Sequence, residues 1–292
     1  MFRRVLFFCA LAATAYAQPA ASKQVEIFGQ KIHYLEVGSG PDVILLHGLG
    51  GDSNNWTFTV PALASKYHVF VPDQIGFGQS DKPQINYRVA TLVDFLNAFY
   101  KKVGISQAML VGNSMGGWVA MDFTLAYPDK VSRMVLSDSA GYSQQRTGAQ
   151  PLTRDLLLGL DPSTLAGTRK LMDAVFYSKT FSTDAFVEQA FAQHMRKNDS
   201  YTIDRIIDSI LRGEDMVDGK LGAVKTPTLI VWGREDALIP VASAKALNED
   251  IAGSQLVVLD HCGHVPQVEC AGPFNAALVK FLGEGSGSHA AP

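Results

Sequence analysis

The chain has 292 residues, 47% of them hydrophobic and 18% charged, a balance that supports a large buried core and excludes a mostly disordered protein. With 25 basic and 28 acidic residues its formal net charge is −3, and it carries no basic run, which excludes the electrostatic footprint of a nucleic-acid or anionic-lipid binder. Metal-ligand spacing of the C-x-x-C or H-E-x-x-H kind is absent, so no metal is expected.

The first residues are Met1-Phe2-Arg3-Arg4, followed by an apolar run from Val5 to about Ala13 and then Ala15-Tyr16-Ala17. A basic start, a short apolar stretch and an A-x-A site form the pattern of a cleavable secretory signal, so residues 1–17 are read as a signal peptide and the mature protein as secreted or periplasmic. A hydrophobic N-terminal anchor is the alternative, but the run is shorter than the roughly 20 residues a span needs. No other segment is apolar enough to cross a membrane, and no stable membrane insertion is expected. Loss of Arg3 and Arg4 leaves 23 bases against 28 acids, a net of −5. Cys9 lies in the presumed signal, leaving Cys262 and Cys270. In an oxidising compartment these two can close a short loop as a disulfide. Spacing alone does not establish that geometry, and two buried free thiols are the simpler reading.

From Gln24 onward, strand-length apolar runs alternate with helix-period segments, the pattern of a mostly parallel sheet covered by helices. Strands are expected at about Val25–Phe28, Ile32–Val37, Val43–Leu46, His68–Val71, Ala108–Val111, Met134–Leu136, Thr228–Trp232 and Leu256–Leu259, the last six as buried parallel strands. Helices are expected at Asn54–Ser65, Thr91–Val103, Met115–Ala126, Ala242–Glu249 and Pro273–Phe281. Between Gly141 and about Gly213 only helical spacing remains. Its apolar stripes are Leu156, Leu157 and Leu160; Leu171, Met172, Val175 and Phe176; Phe186, Val187, Ala190 and Phe191; and Ile203, Ile206, Ile207 and Ile210. The organisation is therefore a sheet-based core over 24–140 and 217–282, a helical cap over 141–216 and a flexible tail over 283–292. No internal repeat is present.

The segment Leu110-Val111-Gly112-Asn113-Ser114-Met115-Gly116-Gly117 contains G-x-S-x-G between a strand-like run and a helical one. A sharp strand-to-helix turn needs glycines for close backbone packing and leaves the serine exposed at a helix N-terminus, where backbone N–H groups can stabilise an oxyanion. Ser114 is the expected nucleophile. The N–H of Met115 is one expected oxyanion-hole donor; the other is that of Leu49, from the glycine-rich His47-Gly48-Leu49-Gly50-Gly51. His47 is expected to hold that loop.

A serine hydroxyl needs a base within hydrogen-bond reach, and the base needs an orienting acid. Downstream, Gly233-Arg234-Glu235-Asp236-Ala237-Leu238-Ile239-Pro240 follows one strand, and Asp260-His261-Cys262-Gly263-His264-Val265-Pro266 follows the last. Asp236 is the expected acid, ahead of Glu235 and Asp138, because the loop before Pro240 keeps its carboxylate at the strand's C-terminal end, where open α/β sheets collect their sites. His264 is the expected base, ahead of His261, because Gly263 and Pro266 mark a loop around it. His33, His68, His194 and His289 are read as surface or structural residues.

The set HGLGG, GNSMGG, GREDALIP and CGHVPQVE, in that order, resembles the α/β-hydrolase superfamily over roughly Val25 to Leu282. The resemblance implies an α/β-hydrolase fold with an eight-stranded, mostly parallel sheet, and a Ser114, Asp236, His264 triad working without metal or organic cofactor. The stretch from Asp73 to Ser80 is similar to the superfamily's D-x-x-G-x-G-x-S loop, whose usual role is structural.

Serine at position 114 separates the chain from haloalkane dehalogenases and epoxide hydrolases, which place Asp there, and from dienelactone hydrolases, which place Cys. Carboxylesterases and lipases share most with it. Meta-cleavage carbon-carbon hydrolases also resemble it at GNSMGG, but they usually show a longer glycine-rich oxyanion loop and a tryptophan soon after the catalytic histidine, where this chain has HGLGG and His264-Val265-Pro266. The expected function is hydrolysis of a small-molecule carboxylic ester through an acyl-enzyme, the cap stripes being consistent with an acyl-binding pocket. Carbon-carbon hydrolysis and a non-catalytic binding protein on the same fold are the alternatives.

Overall fold

The computed structural model describes residues 19–142, 153–154 and 162–284. The signal at 1–17, His289, nearly all of the tail and the stripe of Leu156, Leu157 and Leu160 lie outside the described residues.

Eight strands form one sheet: β1 (Ala21–Ile27), β2 (Gln30–Gly38), β3 (Asp42–Leu46), β4 (His68–Pro72), β5 (Ala108–Asn113), β6 (Val131–Ser137), β7 (Thr228–Gly233) and β8 (Gln255–Leu259). Their order is β1-β2-β4-β3-β5-β6-β7-β8. β1 and β2 pair antiparallel, as do β2 and β4, whereas β3 to β8 are joined by parallel ladders. The central strands carry unbroken apolar runs, such as Val43–Leu46 in β3 and Leu229–Trp232 in β7, because both faces are covered. In β3, Val43 and Leu45 enter the layer of Trp56, Phe274 and Phe281, while Ile44 and Leu46 enter that of Phe70 and Trp118. Burial of each such side chain stabilises the fold by roughly 1.5–3 kcal/mol.

After β3 the chain runs to β4 on one side and then crosses to β5 on the other, so the loops leaving β3 and β5 open beside each other at a topological switch point. The loops after β6, β7 and β8 follow in turn along the same carboxyl edge.

Helix α2 (Val89–Val103) buries Val89, Leu92, Val93, Leu96, Phe99 and Tyr100, one helical face, and ends at Gly104 in the left-handed conformation. Helix α3 (Met115–Ala126) is buried on nearly all sides between α2 and the sheet. The helix expected over Asn54–Ser65 is broken. A 3₁₀ turn spans Ser53–Trp56, capped by the Asp52 side chain, and α1 is the single turn Val60–Leu63 with Pro61 in its first turn. Proline lacks an N–H and is tolerated only there, so Pro61 restarts the helix rather than continuing one.

In the cap, α4 (Leu165–Val175), α5 (Asp184–Lys197) and α6 (Ser200–Leu211) carry three of the expected stripes. The α6 stripe is the most firmly anchored: Ile206 is part of the main core, with Ile203 and Ile210 packed against it. Phe186 instead is exposed. The N–H of Val217 donates to the carbonyl of Gly141 at 3.0 Å, tying together the two strands of chain that flank the cap. Helices α7 (Ala242–Asp250), α8 (Pro266–Glu269) and α9 (Ala271–Gly283) complete the core. Among the described residues no helix is long and apolar enough to cross a membrane.

Candidate active site

β5 ends at Asn113 and α3 begins at Met115, so Ser114 alone makes the turn between them, at φ 55° and ψ −120°. A non-glycine residue in such a region costs about 1–3 kcal/mol and must be over-determined by its surroundings. Here the Ser114 N–H donates to Ser137 O at 2.9 Å, and its carbonyl accepts from Gly117, Trp118 and Ala140 N–H groups. The flanking glycines have no room for a side chain: a Cβ at Gly112 would lie 2.2 Å from Gly116 O, and one at Gly116 would lie 2.2 Å from Leu46 O.

The loop after β3 lies against this turn, since a Cβ at Gly48 would come 3.0 Å from the Ser114 Cβ. Its anchor is the fully buried His47. The His47 Nδ1 faces Gly48 O at 2.8 Å and its Nε2 faces Gln74 N at 3.0 Å. A carbonyl only accepts and an amide only donates, so the ring carries its proton on Nδ1 and is neutral. Burial, which pushes the imidazole pKa down, favours that state. The Gln74 amide also donates to His47 O at 2.8 Å. With the loop so held, the Leu49 and Met115 N–H groups make no hydrogen bond among the described residues, which leaves both available as donors.

The third and fourth parts come from the loops after β7 and β8. Asp236 and His264 are both buried. Asp236 Oδ1 accepts from the N–H groups of Leu238 and Ile239 at 2.8 and 2.9 Å, and Oδ2 faces His264 Nδ1 at 2.7 Å. The carboxylate accepts a hydrogen bond from Nδ1–H, which fixes that tautomer and leaves Nε2 as the basic nitrogen. His264 is fixed by its backbone: its N–H donates to Val175 O at 2.8 Å, and its carbonyl accepts from Asn113 Nδ2 at 3.0 Å. Through Asn113, the residue before Ser114 grips the residue expected to be its base. Among the described residues no hydrogen bond joins the Ser114 hydroxyl to the His264 ring, whose side-chain partner is Asp236; such catalytic bonds are often long before substrate binds.

The other candidates have different partners. Glu235 accepts from Cys262 N at 2.9 Å. His261 is exposed and stands beside the Tyr177 ring. Asp138 is buried behind Asp236. His33 pairs with Asp73 at 2.9 Å and His68 with Asp42 and Glu36, while the buried His194 lies 3.7 Å from Asp199. Asp73 also accepts from Ser53 and Gln79 N–H groups. Burial opposes its charge, but the hydrogen bonds, that from His33 foremost, outweigh it and hold the carboxyl down at about 2.

Three supports were not singled out from the sequence. Asn113 stood inside a quoted motif without a role, as did Glu269, whose carboxylate accepts from Gly263 at 2.7 Å, Ser178 at 2.5 Å and Tyr177 at 3.2 Å. Lys197, on cap helix α5, donates to Gly50 O at 2.8 Å and pairs with Asp52 at 3.0 Å; nothing in its local sequence signals this. Cys262 and Cys270 form a disulfide with Cα atoms 6.1 Å apart, closing the loop that carries His264, so the free-thiol reading is corrected.

Asp138, Asp236 and His264 are the one group of three potential metal ligands among the described residues, with donor atoms within 4.8 Å of one another. Their oxygens already face backbone N–H groups and the histidine ring. The donor set fits proton sharing better than a cation.

The sequence profile of the alpha/beta hydrolase fold family matches residues 41–270. A 2-hydroxymuconate semialdehyde hydrolase from Pseudomonas sp. (strain CF600) is 30% identical over 280 residues, covering 91% of this chain and 95% of that protein. Among solved structures, the meta-cleavage product hydrolase from Pseudomonas fluorescens IP01 is 30% identical, with a TM-score of 0.79 over 90% of this chain and 97% of that one. A membrane phospholipase A described as a bacterial virulence factor is 28% identical, with a TM-score of 0.77 over 90% and 86%. The match spans both parts of the core and every loop of the candidate site, and the chain belongs to the α/β-hydrolase family.

Proposed function

We propose that this hydrolase cleaves carboxylic esters with an apolar part, using Ser114 as nucleophile, His264 as base and Asp236 as its orienting acid. The observation that carries this is the 2.7 Å bond from His264 Nδ1 to Asp236, which leaves Nε2 as the basic nitrogen on a loop tied by Asn113 to the strained, half-buried Ser114 next to it in the chain. Ser114 Oγ adds to the ester carbonyl carbon as its proton passes to His264 Nε2, and the oxyanion takes hydrogen bonds from the Leu49 and Met115 amides. Collapse breaks the bond to the alcohol, which leaves with the His264 proton. Water then repeats the sequence on the acyl-enzyme and releases the acid.

A specific observation favours a second reading, carbon-carbon hydrolysis: the relatives similar to this chain include a 2-hydroxymuconate semialdehyde hydrolase and a meta-cleavage product hydrolase. That reaction expels a carbanion, which demands an electron sink and a partner for an anionic substrate. Lys82, Arg88 and Lys197 are engaged by Gly78 O, Asp215 and Asp52, while Arg205 Nε on α6 is buried without a partner among the described residues. Val265 after the histidine supports the ester, whereas the similarity to meta-cleavage product hydrolases supports the carbon-carbon reading more strongly. Purified protein offered p-nitrophenyl butyrate and 2-hydroxymuconate semialdehyde separately decides between them. Ester turnover above the uncatalysed rate, lost in Ser114→Ala, is expected; turnover of the semialdehyde alone would reverse the order of the two readings.

We also infer export, supported by the leader at residues 1–17 and by the Cys262–Cys270 disulfide, since disulfides persist in oxidising compartments. N-terminal sequencing of the exported protein should begin at Gln18; a chain retained with Met1 would count against it.

A further inference from the structure

One buried acid has no part in the steps above. Asp138 follows β6, is fully buried, and holds φ 44°. Its N–H donates to Val231 O at 3.1 Å, its Oδ1 accepts from Gly233 N at 2.8 Å, and its Oδ2 lies 3.1 Å from Ser137 Oγ. It is thereby locked against β7, behind the loop that carries Asp236. An oxygen of Asp138, an oxygen of Asp236 and a ring nitrogen of His264 all lie within 4.8 Å of one another.

Two carboxyl groups this close, both shielded from water, do not ionise together. Asp236 is the better anion, with two backbone N–H groups and the His264 ring directed at it. Burial pushes the Asp138 acid well above the usual range, and the neighbouring Asp236 charge pushes it further. A carboxyl group that keeps its proton is a donor, and the charged Asp236 carboxylate beside it is a stronger acceptor than the neutral Ser137 hydroxyl.

We propose that Asp138 is a positioning residue acting through Asp236, its O–H fixing that carboxylate toward His264, and that it becomes the partner of His264 when Asp236 is removed. This rests on the triad proposed above. A purely structural Asp138, tying β6 to β7 through Gly233, would do neither.

The test is the rate at which a fluorophosphonate labels Ser114, which does not depend on the natural substrate, together with ester kcat and KM. Asn at position 138 keeps both a donor and an acceptor, so Asp138→Asn should stay within about threefold of the parent. Asp138→Leu should lose at least about tenfold in labelling and kcat with KM unchanged, the size of one hydrogen bond to a charged group. Asp236→Asn should retain labelling that falls at least another tenfold in Asp138→Asn/Asp236→Asn. Should Asp138→Leu fail to fold, the comparison of Asp236→Asn with the double variant decides. Equal rates in those two proteins would overturn the proposal. A parent enzyme that is not labelled at Ser114 would overturn the triad and this inference with it.

Discussion

The two walls of the candidate site are held by different forces. On the core side, Ser114, His47, Asp236 and His264 stand on loops at strand ends, fixed by backbone hydrogen bonds and buried polar partners. On the cap side, apart from the α6 stripe packed on the core, the polar contacts are a few side-chain ties: Lys197 to Gly50 and Asp52, Arg88 to Asp215, and Glu269 to the N–H groups of Tyr177 and Ser178. Partly exposed ion pairs contribute about 0–1 kcal/mol each, whereas the loss of one buried, paired charge costs several. The difference teaches that the candidate catalytic residues stand on loops fixed by buried hydrogen bonds, whereas the polar ties from the cap are partly exposed. Two cap ties nevertheless land beside candidate site residues: Lys197 on the loop of Leu49, and Val175 on the N–H of His264.

Substitutions on the core side should be the more damaging. Ser114→Ala and His264→Ala should each lower ester kcat by about four orders of magnitude or more while the thermal midpoint stays near that of the parent; steady-state kinetics beside a melting curve checks both. Gly116→Ala forces a Cβ against Leu46 O at 2.2 Å, and overpacking of this kind should cost about 3 kcal/mol, seen as a midpoint lowered by roughly 5–10 °C.

Asp73→Asn probes the core away from the chemistry. The folded pKa of Asp73 lies below its ordinary value, at about 2, so its charge contributes stability that is fully present above the unfolded pKa near 4. That stability is lost as pH falls through the folded value. At 1.36 kcal/mol per unit the contribution is roughly 2 kcal/mol. Denaturant unfolding of parent and variant should therefore differ by that amount at pH 7 and converge toward pH 2; a gap that widened on acidification would contradict the assignment. The smallest effect is expected at the cap. Lys197→Met should leave stability within about 1 kcal/mol yet lower kcat/KM by about tenfold through the loosened Leu49 loop. Equal losses of stability and activity would erase the distinction between the two walls.

Much of the core was legible because its signals are local. The unbroken apolar runs of β3 and β5 and the glycines around Ser114 are signals carried within a few residues, and the eight strands and α3 were found where their patterns lay. The Asn54–Ser65 segment misled because its apolar spacing is helical while Pro61 resets the backbone. The cap ties were not legible. Lys197 and Gly50 are far apart in sequence, and a lysine on an exposed helical face gives no sign of the carbonyl it reaches. The disulfide required a distance, the 6.1 Å between Cα atoms, that spacing does not supply. Asp138 was visible only as a rival to Asp236; that both stand at one site follows from β6 and β7 being neighbours.

The covalent step is the most direct test of the account. Enzyme mixed with a slowly deacylating p-nitrophenyl ester, quenched and digested for mass spectrometry, should carry one acyl group on the peptide containing Ser114, with none on Ser114→Ala. Steady ester turnover with no acyl adduct at that position, or with the adduct on another residue, would contradict it.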